Sequence, residues 1–203
     1  MKNKRSVAVI LLALALIVTA FYLFPFVLMA MNSLKTTGEF TSNPFSPPSA
    51  VQWGNYVQAF NQMHFLTSLQ NSLVITICVC AIVALFGAMA AYAVSRVRHK
   101  FVSILYYLMI ASMCAPFQAY MIPLVKLYAS KLGLNNSLIP VIYIGAGLNI
   151  CFAIFLVRGF LNSIPREIDE AALIDGCSSI KLFFHIIQPM LIPIQITLLV
   201  FVA

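Results

Sequence analysis

Long apolar runs constrain this chain more than any other feature of its sequence. Hydrophobic residues fill 62% of the 203 positions and charged residues only 8%, whereas soluble domains average roughly 45–50% and about 25%. About 20 apolar residues span the hydrocarbon core as a helix, which pairs its own backbone N–H and C=O groups. We therefore predict an all-α polytopic membrane protein with membrane segments at 7–31, 73–95, 101–124, 138–158 and 190–203.

The lengths of the first and last runs set the expected number of spans. The run at 7–31 follows Lys2, Lys4 and Arg5, a basic start that secretory signal peptides share. Because a signal peptide has an apolar region of only about 7–15 residues, we predict an uncleaved span. The run at 190–203 rises only about 21 Å as a helix and falls short of crossing the bilayer. We expect about four complete spans plus a partial fifth, in a chain truncated at its carboxyl terminus.

Basic residues are distributed unequally between the two sides of the predicted membrane. The net charge is +7, but the twelve Lys and Arg residues form short clusters between apolar runs, which argues against nucleic-acid binding. Nine of them lie on the side of the amino terminus, and Lys35, Lys126 and Lys131 lie on the other. Since Lys and Arg accumulate on the cytoplasmic side, we predict a cytoplasmic amino terminus.

Small residues recur along one face of the second run. Their spacing of three or four positions places them on one helical stripe, where another helix can approach closely. The alternative interpretation is that alanine serves as filler. The predicted packing residues are Ala81, Ala84, Ala88, Ala91 and Ser95.

Residues suited to metal binding or ion coupling are scattered or lie outside the apolar runs. The five cysteines form no C-x-x-C pair and have no His at ligand spacing, so we expect buried thiols and no metal site. All five carboxylates lie outside the runs, whereas ion-coupled carriers commonly place an ionisable group at membrane depth. An ion-coupled secondary transporter or a non-transport membrane subunit is the alternative function, and no residue cluster supports an enzyme.

The segment 162–189, called the insert below, gathers four of the five carboxylates between two apolar runs. Pro165 suits the first turn of a helix, because its missing N–H has no partner there. The acidic residues after it place negative charge near the positive end of that helix. Gly176 predicts a left-handed helix end. We expect the charges and small residues of the insert to be exposed.

A second helix is predicted in the later half of the insert. Ser178 or Ser179 is suited to cap its amino end, and Pro189 is expected to stop it. Its predicted apolar face consists of Ile180, Phe183, Phe184 and Ile187.

The insert resembles the signature of one transporter family. Its residues Glu170-Ala171-Ala172, Asp175-Gly176, Ile186 and Pro189 are similar to the E-A-A…D-G…I-x-L-P pattern of bacterial ABC transporter inner-membrane permeases of the binding-protein-dependent kind. Gln188 stands where that pattern usually has Leu, a departure that concerns local packing. Further resemblances point to the carbohydrate, maltose-type branch: Phe24-Pro25-Phe26, Asn32-Ser33-Leu34-Lys35, Asn55-Tyr56, Asn71-Ser72-Leu73, Ala91-Tyr92-Ala93 with Arg96, and Ile164-Pro165.

This resemblance implies a type I ABC importer permease fold, with six spans in an intact member, that moves a sugar or related small polar solute. It implies a second permease subunit, two ATPase subunits and an extracytoplasmic solute-binding protein as partners in the bacterial cytoplasmic membrane. The chain has no G-x-x-x-x-G-K-[ST] loop, so ATP and Mg are expected on the ATPase subunits and no cofactor on this chain. The residues implied in ATPase coupling, through 164–189, are Glu170, Ala171, Ala172, Asp175 and Gly176.

Polar side chains within or beside the third and fourth runs are candidates for the solute pathway. An amide at membrane depth either faces a polar cavity or forms an interhelical hydrogen bond, and both interpretations apply to Asn149. The candidates are Gln118, Tyr120, Tyr143 and Asn149.

Overall fold

The computed structural model describes residues 2–134 and 137–203, which fold into helices and connecting turns. The chain divides into two units, with the boundary after Ser68. We number the helices α1 (Lys2–Ser33), α2 (Thr37–Ser42), α3 (Gly54–Gln62), α4 (Phe65–Arg96), α5 (Lys100–Ser112), α6 (Phe117–Lys131), α7 (Ile139–Leu161), α8 (Glu167–Ile174), α9 (Ser179–Met190) and α10 (Ile192–Val202).

Three helices in the described residues are long and apolar enough to cross a membrane, namely α1 from Val7 onward, α4 and α7. The pairs α5–α6 and α9–α10 also qualify if each bent pair is counted as one span, which raises the number to five. The all-helical membrane fold predicted from the apolar runs is therefore confirmed.

In the first unit, α1 continues through Pro25 and is followed by a hydrogen-bonded loop. The Lys35 side chain is almost fully buried and donates from Nζ to the carbonyls of Asn43 and Pro44 at 3.0 and 3.2 Å. Asn55 Nδ2 donates to two further carbonyls of the same loop. A backbone N–H bond from Thr36 lowers the pKa of the Glu39 carboxyl. The loop after α1 thus contains α2 and is closed by side-chain hydrogen bonds.

The third predicted run is not one straight helix. Helix α5 ends at Ser112, and α6 begins at Phe117 with its axis turned by 93°. Pro116 lies at the start of α6, lacks an N–H, and excludes the helical conformation at the residue before it. The last six residues of α6, Lys126–Lys131, form a π-helical turn.

Helices α4 and α7 of the second unit pack closely against each other. A Cβ added to Gly87 would lie 2.8 Å from Cβ of Ala153, and one added to Gly145 would lie 3.1 Å from Val79 Cγ2. Val79 in α4 thus faces Gly145 in α7, and eight residues later in both helices Gly87 faces Ala153. Because both contacts advance in the same direction along the chain, α4 and α7 run parallel. Two parallel helices that both cross a membrane require the chain between them to cross back once, and the bent pair α5–α6 is long and apolar enough to do so as one span.

The buried line of α4 differs from the predicted stripe of small residues. Ala88, Ala91 and Ser95 are buried as expected, but Ala84 is half-buried and Ala81 is exposed. Most buried residues of α4 are spaced four positions apart, and Ala81 does not lie on the stripe that they form. Its residues are Val79, Val83, Gly87, Ala88, Ala91 and Ser95.

We predict that Gly87→Ala separates α4 from α7 and lowers the free energy of unfolding. The added methyl group meets Ala153, and overpacking of this kind costs about 1–3 kcal/mol. The control is Gly147→Ala in α7, because an added Cβ there meets nothing within 4 Å. Thermal unfolding in mild detergent measures both variants, and equal melting temperatures would contradict the packing seam.

Candidate functional site

The insert folds as two helices joined by a tight turn. Helix α8 begins at Glu167, two residues after Pro165, so the proline precedes the helix and does not form its first turn. Glu167, Asp169 and Glu170 lie in the first turn, where their negative charge interacts favourably with the helix dipole.

The end of α8 has the left-handed geometry predicted from Gly176. The φ angle of Gly176 is +81°, a conformation that other residues rarely adopt. The Cys177 N–H donates to the Ala172 carbonyl at 3.0 Å, and the Gly176 N–H donates to the Leu173 carbonyl at 3.1 Å. These two bonds form a Schellman motif, which fixes the direction of the chain after α8.

The second helix of the insert, α9, is capped by Ser178, whose hydroxyl accepts from the Lys181 N–H at 3.4 Å. Its buried face agrees with the predicted one only in part. Leu182, Phe183 and Ile187 are buried, whereas Ile180 and Phe184 are exposed. A π-helical turn at Phe183–Ile187 rotates the later side chains relative to an ideal α-helix, whereas Ile180 and Leu182 lie before this turn.

Pro189 does not stop α9, contrary to the prediction. The helix continues to Met190, and the change of direction, by 72°, comes at the single residue between Met190 and Ile192. Pro189 lies in the first turn of the α-helical segment that follows the π-helical turn, where its missing N–H is tolerated.

Arg166 attaches the start of the insert to the end of α4. Its Nη2 donates to the Ser95 carbonyl at 2.7 Å and its Nη1 to the Arg96 carbonyl at 3.5 Å. The last carbonyls of a helix have no partner within the helix and carry its negative dipole end. The guanidinium therefore satisfies both groups and links them to the residue immediately before α8.

Arg96 makes the reciprocal attachment. Its Nη2 donates to the Ile164 carbonyl at 3.3 Å, and its Nε lies 2.5 Å from Oδ2 of Asp169. Both side chains of this ion pair are largely buried, with 14% and 12% of their surface exposed. Tyr92 lies beside Arg96 and contacts Phe183 with ring centroids 5.5 Å apart. Asp169 is thus not the exposed charge that the sequence suggested, because it neutralises Arg96.

The outward surface of the insert combines acidic and large apolar side chains. Glu167, Glu170 and Asp175 are exposed, together with Ala171 and Gly176. Ile174 is 85% exposed, and Leu173 and Ile180 are 51% and 73% exposed. Of the residues predicted to couple to an ATPase, Ala172 is buried and packs inside the chain. We call the exposed set formed by Glu167, Glu170, Ala171, Leu173, Ile174, Asp175, Gly176 and Ile180 the insert surface.

Two glutamines connect the end of the insert to α4. Gln188 Nε2 donates to Gln195 Oε1 at 3.1 Å, and Gln195 Nε2 donates to the Ala84 carbonyl at 3.1 Å. Gln195 is buried, so its amide needs such partners. Gln188, the departure from the family pattern, is accommodated by this chain of hydrogen bonds. A lone glutamine in the fifth apolar run was the sequence signal for it.

The structure does not bring the predicted pathway residues together. Asn149 Nδ2 donates to the Gly145 carbonyl of its own helix at 2.8 Å, so the interhelical bond, one of its two interpretations, is absent from the described contacts. Tyr143 and Gln118 are exposed. Tyr120 lines a groove of about 580 Å³ between α5, α6 and α7, beside Gly147 and Cys151.

Comparison with known families locates these features within a described group of proteins. Residues 83–203, which include most of the α4–α7 seam and the whole insert, match the family "Binding-protein-dependent transport system inner membrane component". The chain belongs to this family. The resemblance inferred from Glu170-Ala171-Ala172 and the residues that follow is thereby confirmed.

Several relatives within this family are sugar permeases. The chain is 37% identical to the probable starch degradation products transport system permease protein AmyC of Thermoanaerobacterium thermosulfurigenes, over 92% of this chain and 68% of that protein. It is 32% identical to the melibiose/raffinose/stachyose import permease protein MelC of Bacillus subtilis, over 96% and 70%. It is 30% identical to the diacetylchitobiose uptake system permease protein NgcG of Streptomyces coelicolor, over 94% and 63%. The matches thus cover 63–70% of these relatives' own lengths.

We predict that Asp169→Asn loosens the insert from α4. The change leaves Arg96 without a counter-charge. We expect the free energy that holds the insert against α4 to fall by about 2 kcal/mol, less than the roughly 3–5 kcal/mol typical of breaking a fully buried pair. Hydrogen exchange of residues 162–182 in detergent measures the effect as faster exchange in α8. Glu167→Gln is the control, because Glu167 is exposed. Equal exchange in both variants would contradict the anchoring role of the ion pair.

Proposed function

We propose that this chain is a permease subunit of an ATP-driven importer and that the insert surface is its docking site for ATPase subunits. The observation that carries the proposal is the combination of an exposed surface and a fixed base. Ile174 and its neighbours project into solvent, while Asp169 and Arg166 tie the same short helix to the end of α4. A soluble partner can bind such an exposed surface, and the fixed base transmits the partner's movement to α4.

The transported solute in this proposal is a sugar or a related small polar molecule. Support comes from the printed names of the relatives, which include import permeases for melibiose, raffinose and stachyose, for diacetylchitobiose, and for starch degradation products. The groove beside Tyr120 is the described concavity nearest to a pathway candidate, and aromatic and hydroxyl groups line it.

The partners in this proposal are those that the resemblance to the permease family implies. A second permease subunit completes the pathway, an extracytoplasmic binding protein delivers the solute, and two ATPase subunits bind ATP and Mg. The membrane is the bacterial cytoplasmic membrane. The amino terminus and the insert lie in the cytoplasm, in accord with nine basic residues on that side and three on the other.

Within the docking site, the predicted coupling residues have different roles. Glu170, Ala171, Asp175 and Gly176 are exposed and form contacts with the ATPase subunit. Ala172 is buried and holds α8 against the rest of the chain. Leu173, Ile174 and Ile180 add an apolar anchor that the sequence pattern alone did not suggest, and apolar side chains of this kind fill pockets at the centres of interfaces.

Coupling in this proposal proceeds through α4. Closure of the ATPase subunits moves the insert, and the arginine contacts transmit that movement to the last turn of α4. A partner shifts a conformational equilibrium only when it binds one state better than the other. The insert surface must therefore fit the ATPase groove differently in the inward-facing and outward-facing states.

The docking role predicts that Ile174→Asp weakens the complex with the ATPase subunits. Ile174 is 85% exposed, so the change leaves folding intact while it places a charge in an apolar contact. We expect recovery of ATPase subunits with the tagged permease complex to fall roughly tenfold or more, the effect of losing a central interface residue. Co-purification in mild detergent measures this without any assumption about the solute.

The matched control is Val51→Asp, which introduces the same charge at an exposed apolar residue outside the insert. It is expected to leave the yield of ATPase subunits unchanged. Normal recovery with Ile174→Asp would contradict docking at the insert surface. Uptake of labelled melibiose, raffinose and maltotriose by cells with the complete transporter tests the solute class separately, and failure of all three with an intact complex would overturn the sugar assignment.

A further inference from the structure

A basic cleft lies where α4, α5 and α7 end or begin on the same side of the second unit. Its volume is about 610 Å³. The side chains around it include four permanent cations and one histidine, and none is a carboxylate. The polar lining residues are Ser95, Arg98, His99, Lys100, Ser103, Arg158 and Arg166.

The cations of this cleft form no salt bridge within the described part of the chain. The ion pair found in the described residues joins Arg96 to Asp169, and neither of these residues lines the cleft. Arg158 stacks on the Tyr106 ring, with Cζ 3.7 Å from the centroid, and its buried Nε has no hydrogen-bond partner in the described structure. Arg98 and Lys100 are exposed. The amino end of α5, which begins at Lys100, adds the positive end of a helix dipole.

The position of the cleft relative to the membrane is set by the helices around it. Helix α4 is about 48 Å long, more than the roughly 30 Å of hydrocarbon, and Ser95 at its basic carboxyl end lines the cleft. The apolar part of the lining, which includes Ile104 and Tyr107, continues onto the exposed apolar surface of α5. The cleft thus combines a basic part at the carboxyl end of α4, which suits a headgroup, with an apolar part that suits an acyl chain.

We propose that the cleft binds the phosphate headgroup of an anionic phospholipid. Arg98 and Lys100 hold the phosphate from the mouth, Arg158 from the α7 side, and one acyl chain lies along Ile104 and Tyr107. Basic pockets between membrane helices bind anionic headgroups in this way, and each Lys or Arg near an anionic membrane surface contributes about 1 kcal/mol. The proposal goes beyond the transport function and does not depend on the solute.

Binding at this cleft also bears on the insert. Arg166 lines the cleft and donates to the carbonyls of Ser95 and Arg96. A bound phosphate holds the guanidinium in the position from which it makes these bonds, so the lipid stabilises the attachment of the insert to α4.

The test uses the full chain, purified in mild detergent and titrated with dihexanoyl phosphatidylglycerol and, separately, with dihexanoyl phosphatidylcholine. Native mass spectrometry measures the bound fraction of each lipid. We expect binding of phosphatidylglycerol in preference to phosphatidylcholine. Arg98→Gln with Lys100→Gln is expected to weaken phosphatidylglycerol binding by about 25-fold, which is roughly fivefold for each cation removed.

The control variant is Lys126→Gln with Lys131→Gln, which removes two exposed cations that do not line the cleft. It is expected to bind phosphatidylglycerol as the unchanged chain does. Equal loss in both variants, or equal binding of the two lipids by the unchanged chain, would overturn the proposal. Displacement of phosphatidylglycerol by an equal concentration of inorganic phosphate would also overturn it, because the ligand would then be a free anion and not a lipid.

Discussion

The guanidinium groups of Arg96 and Arg166 form the junction on which the proposed coupling depends. Each arginine belongs to one side of the junction and donates to backbone carbonyls on the other. Backbone carbonyls cannot rotate away as side chains do, so these bonds fix the orientation of the insert and not merely its proximity. Asp169 then neutralises Arg96, which would otherwise carry a poorly hydrated charge. An insert attached only by its connecting chain would swing freely, and a force applied to it would not reach the membrane helices.

Close packing of α4 on α7 determines where this junction forms. Residue 79 faces residue 145 and residue 87 faces residue 153, an offset of 66 positions. At the carboxyl end of α4 and just after α7, the contacts between 95 or 96 and 164 or 166 have an offset of 68 to 71 positions. The register set by the close contacts at Gly87 and Gly145 thus continues almost unchanged into the arginine hydrogen bonds at the carboxyl end of α4. A side chain at Gly87 would therefore disturb the junction as well as the seam.

Much of this architecture follows from local sequence, and the missing parts are contacts between distant residues. Apolar runs predicted the long helices, because lipid requires the backbone to pair within itself. Gly176 and Ser178 predicted a helix end and a helix start, since each depends on a residue and its near neighbours. The pair formed by Arg96 and Asp169 spans 73 positions, and no spacing rule indicates it. The π-helical turn at Phe183–Ile187 was also missed, because an apolar pattern interpreted with an α-helical period does not reveal an extra residue in a turn.

A second connection reaches α4 from the other end of the insert. Gln188 bonds to Gln195, and Gln195 bonds to the Ala84 carbonyl, three turns before the junction at Ser95. Movement of the insert therefore acts on α4 at two separated points. Two points of contact on one rigid helix determine its tilt as well as its displacement, whereas the arginine junction alone would leave the helix free to pivot. Within the proposed mechanism, α4 is then the element that receives the motion, and its close seam with α7 requires the two parallel helices to move together.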